Sequence, residues 1–121
     1  MRKLFAVVVF TVVLLAVGAP AQTLPLDAGP VIASTAGALY APYTVVVPKG
    51  MSLRLVQLDP TVRHDVVSRY VIKGRPMFAT KGTLEFGQIQ LVRGVEKLRP
   101  AFYPFTCSIH PEMFGQLVVR G

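Results

Sequence analysis

Cysteine and histidine are scarce in this sequence, which has one cysteine, Cys107, and two histidines, His64 and His110, among its 121 residues. A single cysteine cannot form a disulfide within the chain, so the hydrophobic core has to hold the domain together without one. The sequence also lacks an internal repeat and an amphipathic helix of convincing length. These absences leave a small domain built from short strands as the main possibility.

Acidic residues are few as well, since the chain has 6 of them against 13 lysines and arginines and carries a formal net charge of +7. The basic residues are scattered, and aromatic residues are not interleaved with them as on a base-stacking surface. Nucleic-acid binding requires a clustered basic face, so it is disfavoured. The positive charge instead favours solubility and steering toward an acidic partner.

A long hydrophobic run occurs only near the start, at residues 4–17. Arg2 and Lys3 precede it and the small residues Ala19 and Ala21 follow it, which is the order of a secretory signal peptide. The run is shorter than the roughly 20 residues that span a bilayer, and no cysteine follows it to carry a lipid. We therefore predict a cleavable signal peptide at residues 1–21, rather than a membrane anchor. Export would be to the periplasm or the outer side of the cell envelope, with no stable membrane insertion after cleavage.

Residues 22–38 are rich in Pro, Gly, Ala, Ser and Thr and predict an extended N-terminal segment. Val31 and Ile32 are expected to pair at a sheet edge, because proline-rich segments are disfavoured in central strands. Residues 39–121 form the predicted domain, with strand-like segments at 43–47, 51–58, 83–92, 101–106 and 115–120. Short strands with turn residues between them predict an all-β sandwich. Pro104 predicts an edge or irregular position for its strand.

The strongest chemical signal is the motif Cys107-x2-His110-x2-Met113. A thiolate, an imidazole and a thioether form a soft ligand set that selects copper or zinc over magnesium or calcium. His64 lies 43 residues before Cys107 and, taken alone, would be an ordinary surface or core histidine. If the fold brings it to the same place, the set is that of a mononuclear blue-copper electron-transfer site. A metal-bound thiolate also explains an unpaired cysteine in an oxidising compartment better than a buried structural thiol does.

This arrangement resembles the cupredoxins, and its short ligand loop is most similar to the amicyanin-type members, since the plastocyanin-type members have a longer gap before the methionine. The resemblance covers roughly residues 40–121 and includes the segments at 48–50, 64–66 and 75–78, Phe86 with Gly87, and the closing strand at 115–119. It implies a Greek-key β-sandwich that binds one copper ion. The implied ligands are His64, Cys107, His110 and Met113.

The resemblance also implies a contact between the two ligand-bearing segments. Family members often have asparagine after the upstream histidine, bonded to the polar residue that follows the cysteine. Those positions are Asp65 and Ser108 here, so we expect Asp65 to accept a hydrogen bond either from the hydroxyl of Ser108 or from a backbone N–H. An ionised carboxylate there would favour Cu(II) and lower the reduction potential. The alternative is that Asp65 is a solvated loop acid.

In the family the edge of the loop histidine lies at the surface in an apolar patch through which electrons are thought to pass. We expect the same of His110, with Pro111 and Phe114 beside it and Met77 joining them in space. The alternative is that Phe114 fills the core. The partners implied are a redox protein donor and acceptor, and nothing in the sequence requires more than a monomer.

The function expected is that of an exported one-electron carrier, which is not an enzyme. The main alternative is a periplasmic copper-binding or delivery protein with the same fold and no redox cycling, but few methionines remain after the leader. A zinc site is disfavoured because zinc rarely uses a thioether. An oxygen-reducing oxidase needs many more histidines, and a binuclear copper centre needs two bridging cysteines. A nucleophile pair of Cys107 and His110 matches no hydrolase signature well.

Overall fold

The computed structural model describes residues 29–121. The predicted signal peptide at residues 1–21 and the beginning of the extended segment lie outside the described residues. No helix within the described range is long and apolar enough to cross a membrane. The elements in this range are β1 (Val31–Thr35), β2 (Leu39–Ala41), β3 (Thr44–Pro48), β4 (Leu53–Gln57), β5 (Val67–Ser68), β6 (Val71–Ile72), β7 (Arg75–Pro76), β8 (Ile89–Val92), a 3-10 turn (Val95–Lys97), β9 (Ala101–Cys107) and β10 (His110–Arg120).

The strands form two four-stranded sheets that face each other as a sandwich. Sheet A has the order β2-β1-β4-β8 and sheet B the order β3-β10-β9-β5, while β6 and β7 form a separate two-stranded hairpin. Most neighbouring strands are antiparallel, but β1 is parallel to β4 and β3 is parallel to β10. The predicted all-β sandwich is therefore confirmed.

Alternating side chains of both sheets fill the space between them. In β4, Leu53, Leu55 and Gln57 are buried and the residues between them are half-exposed, because successive strand residues point to opposite faces. The fully buried ring of Phe105 in β9 lies near the centre and contacts Tyr40 edge-on, with ring centroids 4.9 Å apart. Such edge-to-face pairs add to the energy of burial. The core therefore packs directly behind the strand that ends at Cys107.

Gly115 in β10 lies against the ring of Phe105. It is buried within the strand, and a Cβ atom built at this position would overlap carbon atoms of that ring. The absence of a side chain at Gly115 is thus what allows β10 to approach β9 with Phe105 between the sheets.

The prediction that Val31 and Ile32 lie at a sheet edge is wrong. They belong to β1, which lies between β2 and β4 in sheet A. Pro30 lies immediately before β1, and Gly37 lies in the turn that follows it, so neither residue interrupts the strand. A segment rich in turn residues can thus supply an interior strand when those residues fall outside its pairing positions.

The edge position predicted from Pro104 is also wrong, since β9 lies between β10 and β5. Pro104 pairs with Gln116 of β10, and its carbonyl oxygen accepts a hydrogen bond from Arg69 N on the other side, 3.0 Å away. In an antiparallel ladder the N–H and C=O of one residue face the same neighbour. The missing N–H of Pro104 therefore faces the side where β5 has already ended, and β9 loses little pairing.

Candidate metal centre

His64 follows a loop from β4 and is fixed by backbone pairing with Leu84. His64 N donates to Leu84 O at 3.3 Å, and Leu84 N donates to His64 O at 2.7 Å. The imidazole is completely buried. This pairing holds the ring in place although His64 lies outside the named strands.

Cys107 and His110 are the two ends of a tight hairpin. Cys107 is the last residue of β9, His110 is the first residue of β10, and the two residues pair across the turn formed by Ser108 and Ile109. The sequence predicted that the last strand begins near residue 115, and the structure corrects this, because β10 begins at His110. The ligand segment is therefore part of a sheet rather than a free loop.

An irregularity in β10 accommodates the remaining residues of the motif. From one pairing position to the next, β9 moves by one residue, from Cys107 to Thr106, while β10 moves from His110 to Phe114. Thr106 Oγ1 donates to the carbonyl of Met113 at 2.8 Å and ties the bulged segment to β9. The bulge turns the side chain of Met113 inward, where it is 1% exposed. Bulges often re-aim side chains next to functional sites.

The side chains of His64, Cys107 and His110 converge at the end of the sandwich. The Cys107 sulfur lies 3.9 Å from His64 Nδ1 and 3.6 Å from His110 Nδ1. One potential ligand atom from each of the three residues falls within a group no wider than 4.8 Å. Metal bonds of about 2.3 Å to sulfur and about 2.0 Å to nitrogen, at an angle of about 120°, would separate such atoms by about 3.7 Å. The three residues therefore fit a single ion of the kind that nitrogen and sulfur ligands select.

The thiol of Cys107 is shielded from water and held by backbone groups. Burial raises its pKa, and backbone hydrogen bonds from Asp65 and Ile109 oppose that rise. The nearby negative charge of Asp65 adds a smaller upward contribution. Because a thiol must lose its proton to bind a metal, a metal ion bound at this site would displace the proton of Cys107.

Asp65 joins the segment after His64 to the hairpin. Its carboxylate accepts hydrogen bonds from Ser108 N at 2.7 Å and from Ser108 Oγ at 2.5 Å, and it is 4% exposed. The two kinds of hydrogen bond that the sequence offered as alternatives are both present, and Ser108 supplies the backbone N–H as well as the hydroxyl. Asp65 is therefore not a solvated loop acid. The hydroxyl of Tyr40 donates to the Asp65 carbonyl at 2.5 Å. These contacts fix the distance between the two segments that supply the candidate ligands.

A second buried carboxylate, Asp59, was not singled out from the sequence. Its Oδ2 lies 2.7 Å from His64 Nε2, and its Oδ1 accepts hydrogen bonds from Thr61 N at 2.9 Å and Thr61 Oγ1 at 2.7 Å. The hydrogen bonds from Thr61, followed by that from His64, hold the pKa of the Asp59 carboxyl well below its usual range. In the sequence, Asp59 lies five residues before His64. Its neighbour Pro60 indicated only that the predicted strand at 51–58 ends there.

The residues predicted to form a partner patch lie in different surroundings. His110 is half-buried and Pro111 is exposed beside it. Phe114 is 42% exposed, so it does not fill the core, and its ring lies 5.1 Å from the guanidinium carbon of Arg69 on the outer face of sheet B. Met77 is half-buried against the core. A shared patch formed by these residues remains a prediction.

Comparisons with solved structures agree on one fold. A purple cupredoxin from Nitrosopumilus maritimus is 22% identical over 75% of this chain and 99% of its own, with a TM-score of 0.61. Amicyanin from Paracoccus versutus is 22% identical over 83% of this chain and 88% of its own, with a TM-score of 0.64. No family model matches the sequence, and no curated protein sequence matches it.

The chain therefore has the cupredoxin fold, with a His-Cys-His cluster at one end of the sandwich. Within that fold it is structurally similar to amicyanin and to a purple cupredoxin, as the sequence motif indicated.

Proposed function

We propose that this protein is an exported one-electron carrier with a mononuclear type 1 copper site. The ligands would be His64, Cys107 and His110, with Met113 as a weak axial thioether. The observation that carries the proposal is the placement of both Nδ1 atoms at 3.6–3.9 Å from one buried sulfur. A His2Cys plane with a distant methionine is the ligand set of blue-copper electron-transfer sites.

Copper would supply the chemistry by alternating between Cu(I) and Cu(II). The chain would supply a geometry that does not need to change between these states. Backbone pairing with Leu84 holds His64, the two-residue turn holds Cys107 against His110, and Thr106 holds the bulge. The backbone hydrogen bonds to the sulfur would tune the reduction potential.

The two imidazoles differ in their access to solvent, which supports a route for the electron. His64 is completely buried, whereas His110 is half-buried and followed by the exposed Pro111. We infer that electrons enter and leave through the edge of His110. The partners would be redox proteins, and the excess of basic over acidic residues that remains after residues 1–21, 11 against 6, favours acidic ones. No enzymatic step is needed for this role.

The experiment that tests the function is a visible absorption spectrum of the protein after addition of Cu(II), then of a reductant, then of an oxidant. An electron carrier shows an intense thiolate-to-copper band that bleaches on reduction and returns on oxidation. A protein that takes up Cu(I) but does not cycle would instead be a copper-delivery protein. A protein that binds no copper would contradict both proposals.

The substitution Asp65→Asn is expected to raise the reduction potential of the copper-loaded protein. An amide can keep the hydrogen bond from Ser108 N while removing a buried negative charge that stabilises Cu(II). A charge interaction of about 1–3 kcal/mol corresponds to a rise of about 40–130 mV for one electron. Protein-film voltammetry measures the shift. Glu112→Gln makes the same chemical change at an exposed position of the bulge and should shift the potential much less, because solvent screens its charge. Equal shifts in the two variants would contradict this role of Asp65.

A further inference from the structure

The carboxylate of Asp59 has a hydrogen-bonding partner at each of its two oxygens. Thr61 supplies two donors to Oδ1, of which the backbone N–H can only donate, and Oδ2 faces His64 Nε2 at 2.7 Å. An ionised carboxylate has no proton to donate and can only accept, so the neighbouring imidazole has to carry its proton on Nε2. In the neutral ring, Nδ1 then carries the lone pair, and Nδ1 is the atom that faces the Cys107 sulfur.

A buried amide holds the loop that carries Asp59. Gln57 in β4 is completely buried, and its Oε1 accepts hydrogen bonds from Asp59 N at 2.6 Å and from Ser34 Oγ at 3.2 Å. Its Nε2 donates to Val62 O at 2.7 Å. The loop between β4 and His64 is therefore fastened to the interior of sheet A through hydrogen bonds with defined donors and acceptors.

We propose that Asp59 is a positioning residue of the metal centre, which fixes His64 in the Nε2–H tautomer so that Nδ1 is free to bind the ion. The proposal rests on the copper site proposed above. It assigns Asp59 no contact with the metal. Carboxylates that orient metal-binding histidines typically change metal affinity by about 10–100-fold when they are removed.

The geometry predicts an unusual order of effects for two substitutions. In Asp59→Asn the side-chain oxygen has to remain at the Oδ1 position, because Thr61 N can only donate there. The amide nitrogen then occupies the Oδ2 position and donates to His64 Nε2, which forces the proton onto Nδ1. In Asp59→Ala the imidazole of His64 loses its contact with residue 59 and can adopt either tautomer. The conservative asparagine should therefore weaken metal binding more than alanine does.

The tautomer can be read in the metal-free protein by nitrogen-15 NMR of the imidazoles, at a pH well above the ordinary histidine pKa. The sequence has only two histidines, so assignment needs one further variant, His110→Gln. Native His64 is expected to show a protonated Nε2 and an unprotonated Nδ1, and Asp59→Asn is expected to reverse them. Glu85→Gln is the matched control, since Glu85 is a surface carboxylate with a side chain 66% exposed.

Metal affinity is measured by competition for Cu(I) with a chromophoric chelator. Asp59→Asn should lose roughly 10–100-fold in affinity, Asp59→Ala less, and Glu85→Gln none. A role in packing alone predicts the opposite order, with alanine the weaker binder, and that order would overturn the proposal. An unchanged His64 tautomer in Asp59→Asn would overturn it as well.

The two proposals can fail separately. If the native protein binds no copper while the tautomer reverses in Asp59→Asn, the copper function is wrong and only the control of the His64 tautomer by Asp59 stands. If copper binds and native His64 carries its proton on Nδ1 in the metal-free protein, the positioning role is wrong. The second result needs no substitution at Asp59, so it decides the question even where Asp59→Asn does not fold.

Discussion

Replacing Cys107 by serine is expected to abolish the intense visible band and the redox cycling proposed for the copper-loaded protein. The band arises from the bond between the thiolate and copper, and serine offers a hydroxyl that stays protonated at neutral pH. The loss of a residue that only orients a metal ligand lowers metal affinity roughly 10–100-fold. The affinity for copper should fall by more than this in Cys107→Ser, because one of the three converging ligands is itself removed. Copper titration followed by absorption and by dialysis equilibrium measures both effects.

The fold should survive the substitution Cys107→Ser. Serine is close in size to cysteine, and hydrogen-bond donors and acceptors surround the position, so the cost in unfolding free energy should be about 1–3 kcal/mol. Urea unfolding of the metal-free protein checks this. Ser108→Ala is the control at the next residue, because it removes one hydrogen bond to Asp65 and leaves all proposed ligands in place. An intense band that persists in Cys107→Ser would show that sulfur is not a ligand.

Replacing Gly115 by alanine is expected to destabilise the protein strongly. Its Cβ would overlap the ring of Phe105, which is completely buried and in contact with Tyr40. Overpacking of this kind costs about 1–3 kcal/mol, occasionally more, and each kcal/mol lowers the melting temperature of a domain this size by roughly 4–8 °C. Thermal unfolding of the metal-free protein measures the loss.

A second-site change separates steric overlap from other causes. Phe105→Leu removes the part of the ring that the new methyl group would meet, so the double variant should lose less stability than the sum of the two single variants. Gln116→Ala is the control on the outward face of β10, where its side chain is half-exposed, and it should change the unfolding free energy little. A Gly115→Ala protein as stable as this control would contradict the contact.

Much of the site could be predicted because its chemistry is concentrated in a short motif. Cys107, His110 and Met113 are close in sequence, and the one remaining histidine had few other roles to fill. The bond between Asp65 and Ser108 followed from the family resemblance. The strand at residues 44–48 and the alternation in β4 followed from β-branched content and period-two burial.

The elements that the sequence did not reveal depend on contacts between distant segments. Whether a proline interrupts a sheet depends on which side of the strand its nitrogen faces, and for Pro104 that is set by where β5 ends. The start of β10 at His110 depends on a bulge whose register is fixed by Thr106. Asp59 is held beside His64 because its backbone N–H donates to the side chain of Gln57, which is buried in sheet A. No local pattern encodes these relations.

If the protein is the electron carrier proposed above, the unequal burial of the two imidazoles would set the kinetics of exchange between its partners. Because His64 is completely buried and His110 is half-buried, the donor and the acceptor would both reach the site through the same small area of surface around His110. They therefore compete, and the protein has to leave one before it can serve the other. Turnover should follow a ping-pong pattern in which an excess of either partner slows the overall rate. The carrier then behaves as a shuttle whose throughput depends on how quickly each complex dissociates.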